Sequence, residues 1–300
     1  MRVTLTGATG RIGGRLVAAL KARGDDVTVL SRDPDRARAA LRVDTAPWDL
    51  MAGPPPTGAL AGRDAVVHLA GEDVGQRWTD EVKRRIRASR EVGTRNLVAG
   101  LRAAEPRPGL LVSGSASGYY GVHGDERVEE TEPPGSDFLA QVCVAWEREA
   151  DRGAELGVRV IRVRTGIVLD KEGGALGQML LPFKLGAGGP VAGGRQYMPW
   201  IHLDDEVGIL VAAVDSTDFS GPMNAAAPEP ATNQDFSKAL GRALKRPAIA
   251  PIPGFALKAL FGEMSQIVTG GVRMVPARAH ELGYVFRHPE LDEALRSTLG

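Results

Sequence analysis

"RVTLTGATGRIGGRLVAALKARGDDVTVLSRD", residues 2–33, decides the architecture. It opens on a short β-rich run, turns at glycine, continues as a helical pattern and closes on a second β-rich run. Ile12, Leu16, Val17 and Leu20 recur at helical spacing, and Gly24 is placed to stop the helix. Within the turn, Gly7, Gly10 and Gly13 have the spacing Gly-x-x-Gly-x-x-Gly. Glycine there lets backbone approach a pyrophosphate, and a helix N-terminus adds free N–H groups and partial positive charge. The glycine pattern alone is a weak signal. Between a strand and a helix it points to a dinucleotide cradle.

The alternation continues outward through "DAVVHLAG" (64–71), a long helical pattern at 81–104, "GLLVSGSAS" (109–117), "VRVIRVRTGIVL" (158–169) and "GPMNAAAP" (221–228). Such a sequence predicts an α/β fold: a Rossmann-like, doubly wound parallel sheet covered on both faces. After Leu169 the pattern loosens into "DKEGGALGQMLLPFKLGAGGPVAGGRQYMPW" (170–200), read as a cover for a ligand cleft or as a plain glycine-rich connection. Helical patterns return at 233–244 and 253–270. The expected division is a dinucleotide-binding domain over 1–169 and a smaller substrate-covering lobe over 170–300. That lobe sends elements back to the sheet and ends in a helical domain at about 249–297.

Lysine plus arginine equals aspartate plus glutamate, 37 each, so no general attraction to nucleic acid or an anionic membrane is indicated. The single cysteine, Cys143, excludes an internal disulfide framework and a Cys-rich zinc site, and its apolar helical setting reads as buried filler. Five histidines lie dispersed without metal-ligand spacing, so no metal is expected. The strand-like start and the lack of a long apolar run give the expectation of a cytoplasmic protein.

The second strand ends in Ser31 and Arg32, where an enzyme preferring NAD commonly carries an acid for the ribose 2′-hydroxyl. A hydroxyl and a guanidinium suit a 2′-phosphate instead, through charge-assisted and often bidentate bonds. The cofactor expectation is therefore NADP(H). Asp33 follows and leaves an NAD reading standing, and the blander reading of Arg32 is a solvated surface residue.

With these residues in view, the chain resembles the short-chain dehydrogenase/reductases, and more closely their extended epimerase/dehydratase group. "TGATGRIGG", "HLAG", "SREVGTRNL", "PWIHLDDEV" and "NAAAPEPATNQDF" carry the likeness along nearly the whole chain. "HLAGEDVGQRW", "SASGYYG", "DFLAQVCVAWE" and "ELGYVFRHPEL" narrow it to the atypical "epimerase family" proteins that bear a C-terminal domain of unknown function. The resemblance implies cofactor contacts from Thr9, Gly10, Arg11 and Ile12 in the phosphate turn, beside Gly7 and Gly13. It implies further contacts from Leu69, Ala70 and Gly71 after the fourth strand, from Arg90 on the next helix, and from Val168 beside the nicotinamide. Asp49 resembles an acid that meets the adenine amine. It also brings the expectation of a homodimer through helices flanking "SREVGT", although the sequence leaves the oligomeric state open.

Typical relatives carry Tyr-x-x-x-Lys on the helix that stands here as "SDFLAQVCVAWE" (136–147). With Glu147 matched to the acid at the end of that helix, Leu139 takes the tyrosine place and Cys143 the lysine place. Leucine transfers no proton, and a neutral buried thiol supplies no ammonium field. Ser115 matches the serine of relatives, and Tyr119 and Tyr120 are the nearby phenols. Ser115 and Tyr119 are the catalytic candidates, with packing beneath the loop as the alternative for Tyr119. Glu72, Arg77, Trp78, Gln178, Gln196, Trp200 and His202 are weaker substrate-contact candidates, each with a capping or packing alternative.

Two functions fit. One is an NADP(H)-dependent oxidoreductase or epimerase-like enzyme, moving hydride at a carbonyl or carbinol carbon of an unidentified small molecule. The other is a non-catalytic NADP(H)-binding redox sensor or regulator, since the cradle is intact while the proton-transfer pair is gone.

Overall fold

The first strand, β1 (Arg2–Thr6), runs into α1 (Arg11–Ala22) and then β2 (Asp26–Ser31), as the opening stretch requires. In this computed structural model, which describes residues 1–300, all four residues after Arg2 in β1 are fully buried, polar Thr4 and Thr6 included. Burial on both faces is what a strand in a covered parallel sheet demands. Helix α1 buries Gly13, Leu16, Val17 and Leu20 against the sheet, and its Leu and Val side chains contribute about 1.5–3 kcal/mol each. Chain elements α2 (Pro34–Leu41), β3 (Asp44–Pro47), β4 (Ala65–His68), α3 (Asp80–Ala103), β5 (Leu110–Ala116), β6 (Arg127–Val128), α4 (Phe138–Asp151) and β7 (Arg159–Thr165) follow.

The central sheet has seven parallel strands in the order β11-β7-β5-β4-β1-β2-β3, where β11 is Gly221–Ala225. The order reverses between β1 and β4. At such a reversal the loops leave in opposite directions and open a crevice at the carboxyl ends of the strands. Both faces are covered, as the sequence predicts. On one face an apolar cluster joins α1 to α6 (Leu203–Asp215), and on the other a second cluster lies beneath α3 and α4.

The stretch from 170 to 200 is more ordered than its glycines suggest. Strand β8 (Ile167–Leu169) precedes α5 (Gly174–Lys184), and β9 (Tyr197–Met198) and β10 (Trp200–His202) follow, with β10 pairing parallel to β8. Leu176, Leu180 and Phe183 bury one face of α5, so an apolar stripe outweighs weak local propensity. Further on, β12 (Ala231–Thr232) leads into α7 (Asn233–Leu244), capped by the Thr232 side chain. The chain ends with α8 (Gly254–Phe261), α9 (Gln266–Thr269), β13 (Arg273–Met274), α10 (Ala277–Glu281) and α11 (Leu291–Leu299). Strand β13 pairs with β6, which draws this terminal region over the loop that follows β5. No helix is long and apolar enough to cross a membrane.

Candidate functional site

Two glycines build the cradle by being small. Gly7 lies at φ +70°, and a Cβ there would stand 2.7 Å from the Leu69 carbonyl carbon and 2.8 Å from the Ala70 nitrogen. A Cβ on Gly13 would meet the Gly7 oxygen at 2.4 Å. The loops after β1 and β4 therefore touch, and α1 sits directly on its own leading turn. Gly10 begins α1 without a side-chain cap, which leaves the first amides of the helix free for a ligand. Beneath the loops, the Thr6 hydroxyl lies 2.7 Å from His68 Nδ1, and His68 Nε2 lies 3.2 Å from the Thr94 hydroxyl. Burial, with a smaller contribution from the Arg90 charge, pushes His68 down to about 4, so the ring is a neutral strut joining β1, β4 and α3.

A cavity of about 670 Å³ opens at this crevice. Gly7, Thr9 and Gly10 line its floor, Ser31 and Arg32 its far lip, and Leu69, Ala70 and Gly71 its near wall. Asp49 also lines it, but its carboxylate accepts the Met51 N–H at 2.9 Å. At the lip, the Asp33 carboxylate accepts the Arg36 N–H at 3.0 Å and caps α2. Arg32 stays exposed beside it. Arg84 adds cationic character from α3; Arg85 lines the same wall but is paired with Glu81 at 2.9 Å and Glu72 at 3.4 Å, and Ala88 and Ser89 follow one turn later. The i, i+4 spacing of those four residues was the signal in the sequence for a shared helix face. A glycine-lined floor, free helix amides and the Arg32 and Arg84 cations fit a nicotinamide dinucleotide.

The remaining cofactor candidates divide. Arg11 turns its guanidinium away to Asp170 at 2.9 Å and Glu172 at 3.3 Å, so what it brings to the cradle is backbone. Ile12, in the first turn of α1, packs against the core. Arg90 lies 5.0 Å over the Trp146 ring, donates to the Glu72 carbonyl, and stands 3.1 Å from where a Gly71 Cβ would be. Val168 sits half-buried in β8, paired with Ile201.

Helix α4, capped by Asp137, places Leu139 against the turn at 117–120 and Cys143 beneath Ala116. Burial, and then the Glu147 charge, pushes the Cys143 thiol up to about 12, with the nearby Arg90 charge opposing. The group at the lysine place is a neutral thiol, and the positive charge felt there comes from α3.

Ser115 is buried and donates to Glu147 at 2.6 Å. Glu147 in turn receives both the Nε and an Nη of Arg164, at 2.8 and 2.9 Å. Arg164 also donates to the Tyr120 hydroxyl at 2.9 Å, and Tyr120 donates to Asn224 at 2.6 Å. Burial pushes Tyr120 up to about 12, which removes it as a base near neutrality. Tyr119 is half-buried, its ring 3.4 Å from the Arg164 guanidinium carbon.

The weaker candidates find mostly structural partners. Glu72 lines the cofactor cavity, Arg77 donates to the Leu260 carbonyl, and Trp78 packs edge-on to Phe138. Gln178 is exposed on α5. Gln196 donates to the Val191 and Val268 carbonyls, and Trp200 is buried. His202, rather than Asp204 or Asp205, caps α6, its Nδ1 accepting the Asp204 N–H at 3.1 Å.

The dispersed histidines do meet in space. Ligand atoms of His202, Asp204 and His288 lie within 4.8 Å of one another. The two rings stack at 3.7 Å, however, His202 Nδ1 is already engaged as the cap, and Arg15 holds Asp204 at 3.0 Å. That geometry docks the C-terminal segment onto α6.

Comparison with known proteins agrees with this architecture. The model of the NAD dependent epimerase/dehydratase family matches residues 3–226, and that of a domain of unknown function, DUF1731, matches residues 252–298. The chain is 39% identical over 302 residues to the chloroplastic epimerase family protein SDR39U1 homolog of Arabidopsis thaliana, covering 100% of this chain and 87% of that protein. It is 34% identical over 296 residues to the epimerase family protein YfhF of Bacillus subtilis, covering 98% and 97%. The crystal structure of human epimerase family protein SDR39U1 with NADPH superposes with a TM-score of 0.88 at 35% identity, covering 99% of each chain. The chain therefore belongs to the NAD dependent epimerase/dehydratase family.

Proposed function

We propose that the chain binds NADP(H) and acts as an oxidoreductase or epimerase-like enzyme, moving hydride at a carbonyl or carbinol carbon. The observation that carries this reading is at the end of β2. Asp33 caps α2 and does not line the cavity, while Arg32 beside it lines the lip without a side-chain partner. Support comes from the human relative, whose structure contains NADPH.

In this reading Ser31 and Arg32 hold the 2′-phosphate, and the amides of α1 face the pyrophosphate. Arg84 adds positive field along the cavity wall. When bound, the cofactor supplies or accepts a hydride at its nicotinamide carbon. For reduction, the substrate C=O bond becomes C–H and O–H, so one proton must reach the oxygen. Ser115 and Tyr119 are the groups assigned to that end. In reduction the Tyr119 phenol gives that proton and regains one from solvent. Ser115, whose own proton lies toward Glu147, accepts a hydrogen bond from a substrate hydroxyl and passes a proton toward Glu147 in the oxidation direction only.

Calorimetric titration with NADPH and NADH tests the cofactor half, with clear preference for NADPH expected and equal affinity overturning it. Loss of NADPH absorbance with a carbonyl panel tests the chemistry, and Ser115→Ala with Tyr119→Phe should abolish turnover. A second reading, a non-catalytic NADP(H) sensor, is favoured by Leu139 at the tyrosine place and by the neutral Cys143. Tight NADPH binding with silence across the panel would select it.

A further inference from the structure

A second cavity lies between the turn at 117–122, the start of α4 and the segment around α9. Its apolar wall is Leu139, Ile167, Met198, Ile267, Val268 and Val272. Leu139 stands where relatives carry the proton-transferring tyrosine, and Ile167 adjoins Val168. The cavity thus sits where a reacting group would meet the nicotinamide end of the cofactor. This placement rests on the reading proposed above.

We infer that this cavity takes the carbonyl end of an uncharged, largely apolar small molecule, and that a nucleoside-diphosphate sugar is not its occupant. Charge is the first argument. No lysine, arginine or histidine lines the cavity, and its one charged side chain is Asp137. A diphosphate or a carboxylate entering here would lose water beside a like charge with no counter-charge to receive it. Arg273, stacked on the Tyr197 ring at 5.2 Å, donates to the Asp125 carbonyl and does not reach the lining.

Size is the second argument. This cavity measures about 100 Å³ against about 670 Å³ for the cofactor crevice. It accepts only a reacting end, so any larger body of the ligand must lie outside it. Composition is the third. Val122, on the rim, is 67% exposed, so the apolar lining continues outward to receive the rest of an apolar body. Ser117, Tyr197 and Gln266 are neutral hydrogen-bonding groups that suit a carbonyl oxygen and discriminate its orientation.

The test is ligand-observed saturation-transfer NMR on the full chain, with and without NADPH. The probes are benzaldehyde and cyclohexanone (uncharged), pyruvate (anionic) and UDP-glucose. Saturation should reach the two uncharged carbonyls at about tenfold lower concentration than the two anionic probes. Leu139→Trp, which fills the cavity, and Ile267→Trp, which fills it from the opposite wall, should each abolish that transfer while melting as the parent does. The inference is overturned if UDP-glucose or pyruvate binds as well as the uncharged carbonyls, if neither uncharged probe binds, or if a well-folded filling variant binds them unchanged. Failure of the underlying reading is seen separately, as absence of NADPH binding by calorimetry.

Discussion

Arg32 and Asp33 are neighbours at the end of β2 and have opposite fates. The acid caps a helix and the guanidinium stays at the cavity lip. Arg32→Ala should weaken NADPH by roughly 10–100-fold, about 1.5–3 kcal/mol for a lost charged hydrogen bond, and leave NADH unchanged. Paired calorimetric titrations decide it. Gly13→Ala should cost both NADPH binding and stability, because its Cβ would meet the Gly7 oxygen at 2.4 Å. Thermal melts with and without NADPH read both effects.

Glu206 is fully buried on α6, accepts the Thr165 hydroxyl at 2.8 Å, and has no partner for its second oxygen. Burial pushes it up to about 7 from 4.5, with the Thr165 bond opposing. The folded state therefore holds this proton more tightly than the unfolded chain. Its stabilising share is complete below about pH 4.5, declines as pH rises through 7, and the loss then levels off at ~3 kcal/mol. Glu206→Gln should flatten this dependence, so the variant gains on the parent between pH 5 and pH 8 in paired denaturant melts. An unchanged difference between the two pH values would refute the assignment.

At the scale of elements, Asp205 fastens the C-terminal region. Its buried carboxylate accepts the Arg287 and His288 N–H groups at 2.8 and 2.9 Å and the Tyr284 hydroxyl at 3.0 Å. Asp205→Asn would turn an amide toward those donors and should cost about 2–3 kcal/mol. Hydrogen exchange should quicken at residues 284–288 before it does in the central sheet. The elements also show what local pattern reveals. Helix α1 and strands β1 and β2 were legible because a glycine turn and an apolar period act within a few residues. Helix α5 was not, since its glycines lower local propensity and only packing of Leu176, Leu180 and Phe183 restores the helix.

Across the whole molecule, one buried network joins β5, β7, β11, α4 and the turn before β6. Ser115, Glu147, Arg164, Tyr120 and Asn224 form a continuous hydrogen-bonded chain beneath the reacting end. Arg164→Met alone should destabilise by up to about 3–5 kcal/mol, because it leaves the buried Glu147 charge with only Arg162, at 3.3 Å, and the Ser115 hydroxyl as partners. The double change with Glu147→Gln should recover much of that loss, as read in urea melts. Additive losses would show that the pair is not coupled.

The amino-acid sequence by itself determined the parallel α/β order, the glycine cradle and the Ser31–Arg32 pair that closes the second strand. Each depends on residue type at short spacing, where backbone sterics and helix periodicity act directly. Only the tertiary structure decided that Arg84 and Arg85 face the cavity, that Arg11 turns to Asp170, and that His202 stacks on His288. Those outcomes join residues far apart in the chain, and which side chains meet is settled by how rigid elements pack, which local pattern does not encode.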